Sequence, residues 1–393
     1  MIALQMIENI KNSSWIRAMF EEGEKLRQIY GADKVFDFSL GNPDYEPPAA
    51  VREALSRLIN EEPQGLHRYT SNAGYTDVRE KIAQQINQES GRNLSAGNII
   101  MTCGAAGGLN VVLKTILNPG EEVIVFAPYF VEYRFYIENH GGKAVVVPTS
   151  ADFEPDLEAL EKSLNSRSKA IILNSPNNPS GVVYSEKILK DIAALLEAKA
   201  REFKHEILVI SDEPYTKLIY EDATVPSMMK IFPNCAVVNS FSKSLALPGE
   251  RIGYIAVSSE IDDLENLMGG LTFANRTLGF VNAPSLFQKL VGLSLDQVPD
   301  VSEYQRRRDF FYDNLVRLGF SCVKPQGAFY LFPKSPLPDD IELVKRAIKY
   351  NLLLVPGTGF ACPGYFRIAY CTSMDTIKNS LPAFEALAAE VIC

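Results

Sequence analysis

This sequence offers little for metal or disulfide chemistry. Its three histidines, His67, His140 and His205, are scattered, and its six cysteines contain no CxxC pair. Zinc sites and Ser-His-Asp triads therefore lack obvious parts, and no metal is expected. In a long chain with no secretory leader, reduced thiols are expected. There is no basic tract and the formal net charge is −9, which argues against nucleic acid or an anionic membrane as partner. The arginines at 306–308 are flanked by Glu303 and Asp309 and read as a solvated helix face. No apolar run reaches about 18 residues, so no membrane span is expected. Glu8 and Lys11 interrupt the apolar N-terminus, so no signal core is read there. The expectation is a soluble, cytoplasmic protein. No GxGxxG follows a strand, which weighs against a dinucleotide-binding protein. Internal repeats and low-complexity segments are absent as well.

What the chain does have is apolar content, 46% over 393 residues, ample for a large core and two domains. Apolar runs of strand length alternate with helical segments. Residues 13–30 read as a helix, with Ser13 or Ser14 as its cap and Ile16, Met19, Phe20 and Leu26 near one face. Residues 49–60 read as a second helix. Strands are expected at 98–102, 122–127, 144–148, over KAIILN and again at GVVY, at EILVISD, at CAVVN (235–239) and in RIGYIAV starting at Arg251. The alternation predicts an α/β protein: a mostly parallel sheet with helices on both faces. Past residue 285 the pattern changes to a charged helix, 301–318, and short strands.

Chemistry-bearing residues gather where these strands end, the edge at which such sheets bind ligands. Asn178 lies in SPNNPSG, Asp212 closes EILVISD, and Ser240, Ser242 and Lys243 follow CAVVN. A lysine in a partly apolar site has its charge disfavoured and serves as an amine nucleophile. Arg251, eight positions on, and the two hydroxyls suit a phosphate. Gly104, Ala105 and Ala106 open a helix whose free N–H groups also favour one. Arg367, inside the strand-like YFRIAYC, needs an anionic partner.

In this order and spacing the residues resemble the class I and II aminotransferases that use pyridoxal 5'-phosphate, the aspartate aminotransferase superfamily, over nearly the whole chain. The resemblance implies fold type I: a three-layer large domain with a mostly parallel seven-stranded sheet (49–285) and a smaller α+β domain (1–48 and 286–393). It implies Lys243 as the Schiff-base lysine and proton carrier. Asp212 would pair with the pyridine nitrogen, and Tyr215 and Asn178 with the ring oxygen. Phe130, favoured over Tyr129, would stack on the ring. Arg251, residues 104–106 and either Ser240 or Ser242 would hold the phosphate, with Tyr69 reaching it from a partner subunit. Gly41 and Arg367 would meet the substrate α-carboxylate.

The implied reaction moves an amino group between an L-amino acid and a 2-oxo acid in amino acid metabolism, in a homodimer with shared active sites. Glutamate and 2-oxoglutarate are expected as one pair by analogy. Ala106 stands where one branch of the family has a lysine for a substrate side-chain carboxylate, which weakens a direct aspartate assignment. Arg276 is a candidate for an acidic side chain, against the plainer reading of a surface arginine. Two rivals use the same cofactor residues or ligand. One is a carbon–sulfur β-lyase on this fold. The other is a non-catalytic regulator, for which about 40 residues ahead of the catalytic part leave too little for a helix-turn-helix domain.

Overall fold

A computed structural model describes residues 1–11 and 15–392. Ser13 and Ser14 lie outside the described residues, as do the side chains of Ile16 and Phe20. The helix expected there runs Trp15–Tyr30, and Met19 and Leu26 on it are buried.

Seven strands form the central sheet: β1 (Ile99–Thr102), β2 (Glu122–Ala127), β3 (Lys143–Pro148), β4 (Ser168–Asn174), β5 (Leu208–Asp212), β6 (Cys235–Ser240) and β7 (Gly253–Val257). Their spatial order is β1-β7-β6-β5-β4-β2-β3. β2 to β6 run parallel, while β7 runs antiparallel to both its neighbours. The sheet is thus mostly parallel, as expected. The chain moves from β2 outward to β3 and then crosses to β4 on the other side of β2. That reversal opens a crevice at the carboxyl ends of β2 and β4.

Strand periodicity explains why both faces are covered. Met101, Ile124, Phe126, Ile171, Leu173 and Val237 point to one core. There they meet the helices Ala49–Glu61, Thr76–Ser90, Glu186–Phe203 and Ser285–Gly292. Ile100, Val123, Val125, Ile172, Val238 and Ile255 point to the other, beneath the helices Gly104–Ile116, Glu132–Asn139 and Leu264–Thr277. A sheet buried on both faces needs such near-continuous apolar strands.

A separate core forms around Phe38, Phe311, Phe329, Leu331 and Phe384. It sits among the helices Ser302–Arg317, Asp340–Ile348 and Met374–Val391 and a small antiparallel sheet holding Phe366–Ala369.

Two expectations are corrected. GVVY is not a strand: Gly181 has φ +70°, and side chains take the next amides. Val183 N bonds Gln326 Oε1 at 3.2 Å and Tyr184 N bonds Ser175 Oγ at 2.9 Å, so no ladder forms. β7 starts at Gly253 rather than Arg251, because Arg251 turns the chain at φ +51°.

Candidate active site

Three consecutive strands in space, β4, β5 and β6, deliver polar groups to one edge. Asn174 ends β4 opposite Asp212 at the end of β5. Asn174 Nδ2 donates to the Asp212 carbonyl at 2.9 Å, and its Oδ1 accepts the Asn178 amide at 2.8 Å. Asn178 therefore sits four residues past its strand, in a loop pinned by Asn174, rather than at the strand end. β6 runs into the short helical turn Phe241–Ser244, which carries Lys243. A cavity of about 290 Å³ opens among these groups; it is lined by Lys243, Asp212, Tyr215, Asn178, Arg251 and Arg367, and also by Gly41, Ala105, Ala106, Phe130, Ser240 and Ser242.

Lys243 Nζ donates to Gly41 O at 2.6 Å and lies 5.3 Å from the centre of the Phe329 ring. Burial lowers its pKa to about 8, and the nearby guanidiniums of Arg251 and Arg367 act in the same direction. The amine is therefore far easier to deprotonate than a surface lysine.

Asp212 is 5% exposed. Its Oδ2 accepts a short hydrogen bond from the Tyr133 hydroxyl, while its Oδ1 is buried without a partner. Burial raises its pKa to about 6, partly opposed by the Tyr133 hydrogen bond. An orphaned buried carboxylate oxygen is costly unless something donates to it.

Arg367, on the strand Phe366–Ala369, is 1% exposed. Nη1 donates to Asn178 Oδ1 at 3.0 Å and Nη2 to Ser39 O at 2.5 Å, and Nε has no partner. Tyr330 and Phe360 stack on it at 4.6 and 4.9 Å. Its acceptors are neutral, so the guanidinium charge is unmatched and suits an incoming carboxylate. The Tyr215 and Tyr330 hydroxyls share a hydrogen bond of 2.9 Å.

The part of the cavity beside Arg251 is shaped by close backbone approach. β7 brings Arg251 beside the start of the helix Gly104–Ile116, and Arg251 Nη1 donates to Pro248 O at 2.8 Å. Gly104 has φ +70°, and a Cβ there would stand 2.9 Å from Arg251 Nη2. Small residues, free helix N–H groups and an exposed guanidinium make an anion cradle. Phe130 is half-buried, edge-on to Tyr133 at 5.6 Å.

Two expected residues are not brought in. Tyr69 is 89% exposed and lies outside the cavity of its own chain. Arg276 is exposed at the end of the helix Leu264–Thr277, over the Phe273 ring at 5.2 Å. Sequence reasoning missed Tyr133, Tyr330, Asn174 and Tyr45.

This sheet order, with a buried amine and an anion cradle at its carboxyl edge, is that of the pyridoxal-phosphate transferase fold, type I. The pattern of the family described as aminotransferase class I and II matches residues 33–384. A crystal structure of an amino transferase from Eubacterium rectale superposes with a TM-score of 0.96 at 39% identity, covering 100% of this chain and 99% of that one. A probable aspartate aminotransferase of Methanocaldococcus jannaschii is 33% identical over 366 residues, 91% of this chain and 94% of that protein. A probable N-acetyl-LL-diaminopimelate aminotransferase of Bacillus subtilis is 30% identical over 363 residues, 90% and 89% of the two.

The chain belongs to the class I and II aminotransferase family. It is a pyridoxal-phosphate-dependent transaminase, an enzyme that moves amino groups between amino and 2-oxo acids. Among the described residues no helix is long and apolar enough to cross a membrane.

Proposed function

We propose that this cavity binds pyridoxal phosphate through Lys243 and Asp212 and holds a substrate α-carboxylate on Arg367. The unpaired Asp212 Oδ1 carries the reading: it is a buried acceptor facing a cavity, and a protonated pyridine nitrogen is the donor it lacks. The rest of the lining fits the same group. Arg251, Ala105, Ala106 and the helix start beside Gly104 would take the phosphate, with Ser240 or Ser242. Tyr215 and Asn178 would meet the ring oxygen, and Phe130 the ring face.

Bound there, pyridoxal phosphate supplies a carbonyl that receives the amino group and a ring that accepts the electron pair left on the substrate α-carbon. Asp212, ionised by the positive charge it faces, keeps a proton on the ring nitrogen. Arg367 fixes the substrate by its carboxylate, so that the α-hydrogen is presented to Lys243. Lys243, its basicity already lowered by burial, takes that proton and returns it on the other side of the transfer. The closely packed Phe329 and Tyr330 keep water from these steps.

Tyr69 and a homodimer belong to the same proposal. An aromatic 89% exposed on its own chain is suited to complete the phosphate site of a partner subunit. The larger domain, 49–285, and the smaller one, 1–48 with 286–393, are supported by their separate cores, except that the helix Ser285–Gly292 packs on the larger, which moves the boundary past residue 292. A cytoplasmic enzyme is proposed on the same footing.

On substrate choice, the cations lining the cavity are Lys243, Arg251 and Arg367, and each has a role already. Ala106 adds a methyl group. A second carboxylate would have to be met from a partner subunit, where Arg276 is the candidate. If Arg276→Ala left the preference for glutamate over alanine unchanged, that contact would be ruled out.

The test is the visible absorbance of the purified protein, before and after a panel of amino acids is added. A band that is lost or altered in Lys243→Ala, and bleached by particular amino acids, is expected. No band after adding pyridoxal phosphate would overturn the reading.

A further inference from the structure

Residues Ser39–Tyr45 run along the cavity and touch two of its three cations with main chain alone: Ser39 O meets Arg367 and Gly41 O meets Lys243. The side chains that follow act elsewhere. The Tyr45 hydroxyl donates a short hydrogen bond to the main-chain carbonyl of Lys243. Asp44 receives Arg307 Nη1 on both carboxylate oxygens, at 2.8 and 2.7 Å, and the Tyr304 hydroxyl at 3.1 Å. Arg307 is steadied by Glu303 at 3.0 Å, and the Tyr45 ring packs against Tyr304 with centroids 5.5 Å apart.

We infer that Tyr45 is a positioning residue for Lys243, and that Asp44, through Arg307 and Tyr304, fastens Tyr45 in place. Lys243 sits in a turn of four residues, Phe241–Ser244, too short to satisfy its own last carbonyls. Tyr45 provides the donor, and in doing so fixes where the Lys243 backbone stands and how far Nζ reaches. It does so without touching reacting atoms. The Asp44–Arg307 contact is half-sheltered, with side-chain exposures of 27% and 11%. One ion pair on the helix Ser302–Arg317 thus sets the segment that faces both the lysine and the carboxylate-binding arginine.

The inference rests on Lys243 being the cofactor-bearing lysine, so the test reads both. Tyr45→Phe, Asp44→Asn, Arg307→Gln and the double variant Asp44→Asn with Arg307→Gln are compared as holoenzymes. Tyr45→Phe keeps the aromatic ring and loses one hydrogen bond. It should keep the visible band and lose roughly five- to tenfold in kcat at nearly constant KM. Asp44→Asn should raise KM roughly tenfold and speed hydrogen exchange at residues 39–45, with the double variant no worse than either single one. A wild-type protein without the band would overturn the reading of the site itself. A wild-type band together with an unchanged kcat in Tyr45→Phe, or additive losses in the Asp44 and Arg307 pair, would overturn this inference alone.

Discussion

Replacing Asp212 by asparagine is expected to stabilise the cofactor-free protein and to cripple the loaded one. In the cofactor-free chain the carboxyl is buried with Oδ1 unpaired, and its pKa is raised from 3.8 to about 6. A folded-state pKa above the unfolded value means that the contribution of this group to stability is whole below about pH 4. It is then lost as pH rises to about 6. A rise of about two pH units corresponds to about 3 kcal/mol at neutral pH. Asp212→Asn keeps the shape, and an oxygen for Tyr133, but cannot ionise. At pH 8 the cofactor-free variant should therefore exceed its parent by up to about 3 kcal/mol, and at pH 4 by almost nothing. With an unfolding entropy of about 2 cal/mol/K per residue over the chain, that is a Tm increase of roughly 4 °C. In the loaded enzyme the order reverses. Asparagine has no charge to hold a proton on the ring nitrogen, and kcat should fall by roughly ten- to hundredfold or more. Melting curves of both proteins from pH 4 to pH 8, with and without cofactor, measure this. Glu213, half-buried with a raised pKa, is pushed up mainly by desolvation and in part by the Asp212 charge, so the variant relieves it too and adds to the gain at pH 8. A cofactor-free variant less stable than its parent at pH 8, or a gain equal at both pH values, would refute the reasoning.

Arg367→Lys keeps a positive charge but loses the fork that meets Asn178, Ser39 and a carboxylate together; KM for every amino acid donor should rise roughly a hundredfold, in steady-state kinetics. Gly41→Ala would put a methyl group 2.0 Å from the Tyr330 hydroxyl, itself tied to Tyr215, so the segment must shift, at a cost of about 1–3 kcal/mol read by denaturant titration. In the cofactor-free chain, labelling of Lys243 by an amine-reactive probe should reach its half-maximal rate at about pH 8, well below that of the exposed lysines. A midpoint above pH 10 would show that water reaches the amine.

Much of the fold was legible because a sheet buried on both faces writes itself as short, nearly unbroken apolar runs. The runs at 122–127, 168–174, 208–212 and 235–240 were read nearly to the residue. Asp212 and Lys243 were legible for the same reason, since they are the first charged residues after such runs. GVVY misled because its apolar side chains are buried as a strand's would be, while its amides are satisfied by side chains, Ser175 from the same loop and Gln326 from a distant part of the chain. The hydroxyls of Tyr133, Tyr330 and Tyr45 were harder to find. Their partners lie between 79 and 198 residues away, a pairing that no local pattern records. Tyr69, proposed to act across a subunit boundary, leaves the weakest trace: it shows only as an aromatic on the outside of its own chain.

The antiparallel course of β7 has a consequence for how the site comes together during folding. Because β7 returns directly alongside β6, Lys243 and Arg251 share one hairpin, with Ser240 paired to Gly253. Gly41, whose carbonyl meets the lysine, comes from 202 residues away. Closing that longer loop costs about 3 kcal/mol more chain entropy than closing the loop between Lys243 and Arg251, eight positions apart. The lysine and Arg251 are therefore brought together locally and cheaply, while the helix start at Gly104 joins them from an earlier part of the chain. The half of the site that would hold substrate waits for the distant N-terminal segment and for Arg367. Pulse-labelled hydrogen exchange during refolding should find the amides of 235–257 protected before those of 36–45, so that Lys243 and Arg251 are in place before the segment that faces substrate.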